Sequence, residues 1–77
     1  MTVRELELHI RGMTSAACVN LIESVLNSES GVRKVSVNLV MDRGVIIYEN
    51  ESVKGEALLD IVRELGYGVE MISEKEG

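Results

Sequence analysis

Between Val3 and Ile10 the chain alternates, with Leu6, Leu8 and Ile10 on one side and Glu5, Glu7 and His9 on the other. That is the period of a strand with one face in a core and one in water. Gly12 to Thr14 break the alternation. From Ala16 to Asn27 the period lengthens: Val19, Ile22, Val25 and Leu26 recur at helical spacing, with Asn20, Glu23 and Ser24 outside the stripe. Ser28 to Gly31 end this helix, and Gly31 suits a positive-φ stop. Val32 to Val40 reads as a second strand with Val35, Val37 and Leu39 on one side. Met41-Asp42-Arg43-Gly44 then forms a polar hairpin loop. A third strand follows at Val45 to Glu49, where Val45, Ile46 and Ile47 are all apolar and leave the register open. Beyond a loop from Asn50 to Lys54, Leu58, Ile61, Val62 and Leu65 give the stripe of a second helix. Gly66 ends it, and Tyr67 to Ile72 is the last strand.

The order β-α-β-β-α-β predicts the architecture. Two short amphipathic helices bury their stripes by lying on one face of a four-stranded antiparallel sheet, an α+β, ferredoxin-like sandwich. Residues 1–73 make one domain, and Ser73-Glu74-Lys75-Glu76-Gly77 looks like a solvated end, with 74–77 a linker or tail.

Composition narrows the function. Hydrophobic residues make up 45% of the chain and Pro is absent, so the chain folds instead of staying disordered. No apolar run approaches the roughly 20 residues of a membrane helix, and the alternating N-terminus is no secretory signal. The segment reads as cytosolic, with no membrane insertion of its own, and fits equally a piece of a larger membrane protein. A formal charge of −5 argues against nucleic acid and suits a basic protein partner. Two Tyr, with no Phe or Trp, supply no set of stacking aromatics.

A lone cysteine excludes an internal disulfide and is often inert filler, so its position has to argue for it. Cys18 falls within the first turn of the first predicted helix. Backbone N–H groups and the positive end of the helix dipole converge there and favour thiolate, the form that binds metals.

The stretch Gly12-Met13-Thr14-Ser15-Ala16-Ala17-Cys18 resembles the Gly-Met-Thr-Cys-x-x-Cys loop of heavy-metal-associated domains. Val19, Ile22, Glu23 and Leu26 continue the resemblance, as do Gly31-Val32, Val35, Val37, Leu39, Tyr48, Leu58, Ile61 and Gly66-Tyr67. The resemblance implies a Cu(I)-binding domain from the N-terminal part of a copper-transporting P-type ATPase, accepting copper from a chaperone and passing it on or regulating the pump. It also implies two ligands. Cys18 is the second, and Ser15 stands where the first cysteine belongs. A hydroxyl is a hard, neutral donor that cannot replace a thiolate toward a soft ion. Cu(I) is then held weakly, or through a thiol shared with another molecule, including a second chain in a metal-bridged homodimer.

Ser15 has three readings: a helix cap, natural loss of the ligand, or an engineered replacement, the last favoured because the other landmarks remain. By the same resemblance Met13 packs under the loop, and Tyr67 approaches it from the opposite segment. Thr14 completes the supporting set. Met1, Met41 and Met71 lack ligand spacing, and His9 lies on the solvent face. No Ser–His–Asp set, carboxylate pair or phosphate-binding loop appears, so no enzymatic turnover is expected of this segment. Partners follow from the charge and the resemblance: a basic copper chaperone or a neighbouring metal-binding domain. The alternatives are a free copper chaperone, or a degenerate interaction module without a metal role.

Overall fold

The computed structural model describes residues 2–76, so Met1 and Gly77 lie outside the described residues. Six elements follow in the expected order: β1 (Val3–Arg11), α1 (Ala16–Asn27), β2 (Val32–Asn38), β3 (Arg43–Glu49), α2 (Gly55–Glu64) and β4 (Gly68–Glu76). The sheet runs β2-β3-β1-β4, every neighbour antiparallel. Strands β1 and β2 are therefore parallel with β3 between them, and β3 and β4 are parallel with β1 between them. These are two interlocked β-α-β units, the predicted ferredoxin-like sandwich. No helix among the described residues is long and apolar enough to cross a membrane.

The core is the inner face of the sheet closed by the two helices. Leu6, Leu8 and Ile10 from β1 meet Ile22 and Leu26 from α1 and Leu58, Leu59 and Val62 from α2. Each fully buried aliphatic side chain contributes about 1.5–3 kcal/mol, the main force holding the layers together. The open register of β3 is resolved: Ile46 and Tyr48 face inward and are buried, while Val45 and Ile47 face outward and are half-buried.

Three boundaries differ from the sequence expectation by two residues or more. β2 stops at Asn38, because the Asn38 Oδ1 accepts the Met41 N–H at 3.1 Å and Asp42 turns the chain at φ 54°. Val40, expected in the strand, is 89% exposed in the resulting hairpin loop. Gly44, expected in the loop, is a buried residue of β3, and a Cβ there would stand 2.9 Å from Ile10 Cδ1. β4 runs on to Glu76: residues 74–76, expected as a tail, pair with Leu6, Glu5 and Arg4 of β1. Their charged side chains disguise them, because an edge strand with an exposed face needs no apolar alternation.

The Glu-rich face is not simply solvated. Glu7 pairs with Arg43 at 2.7 Å, Glu70 with Arg11 at 3.1 Å and Glu5 with Lys75 at 3.7 Å.

Candidate functional site

Three segments converge at one end of the sheet. β1 ends at Arg11, α1 begins after Ser15, and the α2–β4 turn returns beside them because Gly68 pairs with Arg11. Gly12 leaves β1 at φ 99°, a conformation that favours glycine, and Gly66 makes the matching turn after α2 at φ 101°. A Cβ on Gly12 would lie 3.6 Å from the Tyr67 ring, so the ring lies against the loop backbone. Met13 is 9% exposed and belongs to the core cluster, which pins the middle of the loop from below. Its thioether is thereby packed away from solvent.

Ser15 is the N-cap residue of α1, with extended backbone at φ −159° and ψ 171°. Its side chain makes no capping hydrogen bond. The capping role expected of its hydroxyl is absent, and the backbone alone joins it to the helix, its carbonyl accepting the Cys18 N–H at 3.0 Å. Cys18 is thus the third helical residue, half-buried, with a free thiol.

Neighbouring N–H and O–H groups act on that sulfur to favour its ionised form. The Thr14 backbone N–H contributes most, then the Tyr67 hydroxyl, the Thr14 hydroxyl and the Ser15 backbone N–H. The Thr14 Oγ1 lies 3.7 Å from Cys18 Sγ. Together they pull the thiol from 9.0 down to about 6, outweighing the opposing effect of burial. Donors that strengthen as negative charge develops favour the ionised form. The reciprocal effect raises the Tyr67 hydroxyl, first through its bond to Cys18 and then through desolvation. A thiol lowered to about 6 favours the ionised form at neutral pH, here in the first turn of α1.

Met13, Thr14, Ser15, Cys18 and Tyr67, the residues expected from the sequence, lie together here, with the lowered thiol expected from the helix terminus. The structure adds Thr14, by backbone and hydroxyl, and Tyr67. The spacing itself carries the signal for Thr14: a hydroxyl residue four positions before a cysteine, just outside a helix, is placed to reach forward to it. His9 lies on the outer face of the sheet. Among the described residues no three His, Cys, Asp or Glu side chains cluster as a metal cage.

The heavy-metal-associated domain family matches residues 7–68, a span that includes the loop, both helices and the Tyr67 turn. This chain is a heavy-metal-associated domain. It is 41% identical over 70 residues to a copper-exporting P-type ATPase of Staphylococcus epidermidis, covering 91% of the domain and 9% of that protein. The domain thus spans a small fraction of the length of that relative. Among solved structures it resembles the N-terminal domain of a potential copper-translocating P-type ATPase from Bacillus subtilis in its Cu(I)-loaded state. The TM-score is 0.89 at 32% identity, covering 97% of this chain and 94% of that one. It also resembles a chain of the Atx1-Cu(I)-Ccc2a complex, with a TM-score of 0.82 at 33% identity, covering 91% and 96% respectively. As a heavy-metal-associated domain it is a binding unit, without catalytic machinery of its own.

Proposed function

We propose that this domain carries Cu(I) as cargo in the N-terminal part of a copper-transporting P-type ATPase, on the cytosolic side of the membrane. The observation that carries the reading is Cys18 in the first turn of α1, within the span the family matches, with Thr14 Oγ1 3.7 Å from its sulfur and its thiol lowered to about 6. Cu(I) is soft and takes sulfur ligands in low coordination, which lets an incoming thiolate add before the outgoing one leaves. Met13 and Thr14 hold the loop, and Tyr67 steadies the sulfur during that exchange.

Ser15 limits the affinity. Its hydroxyl is no match for the thiolate that the family pattern places there, so Cys18 holds copper strongly only when a second thiol arrives from elsewhere. We read Ser15 as an engineered replacement of the ligand cysteine, because Met13, Thr14, Cys18 and Tyr67 are all kept around it. The second thiol comes from a chaperone, a neighbouring domain, or Cys18 of another copy in a metal-bridged dimer. A basic chaperone suits the formal charge of −5 and the exposed stripe Glu56, Asp60 and Glu64 along α2. The chaperone–domain complex among its structural relatives supports the same partner class.

The deciding experiment compares the chain with Ser15→Cys for Cu(I) affinity against a competing chelator. A gain of several orders of magnitude is expected. No gain would overturn the copper reading and favour a degenerate interaction module. Titrating Cu(I) into the unaltered chain in thiol-free buffer tests the shared-ion dimer, which a strictly monomeric product would exclude.

A further inference from the structure

Strand β4 divides at its bulge. Its inner part is anchored by Val69, which is 5% exposed, whereas residues 70–76 are exposed. The register shifts opposite Glu7 and Leu8, and beyond it Ser73 to Glu76 pair with Glu7 to Arg4 of β1. Among the described residues, two side-chain contacts hold this outer part. One is the Lys75–Glu5 pair at 3.7 Å, an exposed pair that contributes little. The other is a hydrogen bond from the Tyr48 hydroxyl to the Glu74 carboxylate.

Tyr48 is the largest fully buried side chain in the molecule, so its hydroxyl is a fixed point at the edge of the core. Gly55, the first residue of α2, keeps that point accessible. A Cβ at Gly55 would stand 3.0 Å from the Tyr48 hydroxyl and 2.8 Å from Glu74 Oε2. The carboxylate also sits where the first turn of α2 favours negative charge, and α2 has no side-chain cap of its own. A cavity of about 300 Å³ lined by Asn50, Lys54, Gly55, Glu56, Met71 and Glu74 adjoins the contact and gives the side chain room to move.

We propose that residues 73–76 form a releasable strap over the outer edge of β1, latched by the Glu74 carboxylate on the Tyr48 hydroxyl in the space Gly55 leaves open. Releasing the latch frees the β1 backbone between Arg4 and Glu7 while the core stays intact. The strap lies at the opposite end of β1 from Cys18, so it is independent of the copper reading.

Amide hydrogen exchange read residue by residue at pH 7 tests this in the chain, Glu74→Gln, Gly55→Ala and Tyr48→Phe. In the unaltered chain residues 73–76 should exchange more slowly than unstructured peptide. Each variant should speed them about tenfold or more, the loss of one charge-assisted bond. Amides of α1 and of β4 near Val69 should keep their protection. Gly55→Ala matters most, because it displaces the carboxylate and leaves both partners chemically intact; it decides the matter if Tyr48→Phe does not fold. Unprotected amides in the unaltered chain, unchanged exchange at 73–76 in Glu74→Gln and Gly55→Ala, or a loss spread over the whole domain would each overturn the proposal.

Discussion

Thr14 and Tyr67 decide what Cys18 can do. A thiol with an ordinary value near 9.0 is almost wholly protonated at neutral pH, whereas one at about 6 is mostly thiolate. The alkylation rate of Cys18 with iodoacetamide should therefore rise through a midpoint near pH 6 and level off above pH 7. Tyr67→Phe removes one donor and should move that midpoint upward, leaving the thermal midpoint of unfolding nearly unchanged. A midpoint that stays put would show that the hydroxyl does not act on the sulfur. Thr14→Ala should move it less, because the Thr14 hydroxyl contributes less than the Tyr67 hydroxyl. The position of the cysteine was legible from the chain alone. Tyr67 was placed at the loop by resemblance and not by periodicity, because it lies 49 residues away in sequence and reaches the loop only through the pairing of β4 with β1.

The hairpin of β2 and β3 shows where periodicity gives way to tertiary contacts. Three successive apolar residues could not choose a face, and the choice is made by Gly44 and Tyr48: Ile10 fills the space above the glycine, and the tyrosine ring enters the core. This places Ile46 inside, and two substitutions test it. Ile46→Ala should cost about 2–5 kcal/mol, the usual range for a core aliphatic, and Ile47→Ala clearly less, read from urea midpoints. Equal losses would contradict the register. At the free edge of β2, the Glu23 carboxylate of α1 accepts the Val37 N–H at 2.9 Å. Glu23 falls outside the helical stripe, so its structural duty was hidden; a carboxylate that guards a strand edge looks in sequence like any solvated one. Glu23→Ala should destabilise by about 1–3 kcal/mol and leave that N–H unguarded, which should appear as concentration-dependent aggregation. The helix stripes were readable in part: Ile22, Leu26, Leu58 and Val62 are buried as expected, but Val25 stays outside the core cluster and Leu59, outside the expected stripe, is buried.

At the scale of the molecule, the two ends of β1 have different chemistry. At one end Tyr48 is held at about 12, first by burial and then by its bond to Glu74, against an ordinary 10.0. The protonated tyrosine is the form the fold prefers, so its stabilising contribution is complete below pH 10 and is lost as pH rises through 12. The difference in thermal midpoint between the chain and Tyr48→Phe should narrow across that window; a constant difference would remove Tyr48 from the alkaline transition. At the other end the loop from Gly12 to Ser15 is fastened at three points: by β1, which is paired on both sides, by Met13 in the core, and by the start of α1. Folding has therefore already met most of the entropy of arranging a metal site. In Ser15→Cys, ion capture should leave backbone amide order parameters almost unchanged between the empty and loaded forms. If the proposed copper reading holds, such a scaffold should yield its ion as quickly as ligands can be swapped, with no conformational step to wait for.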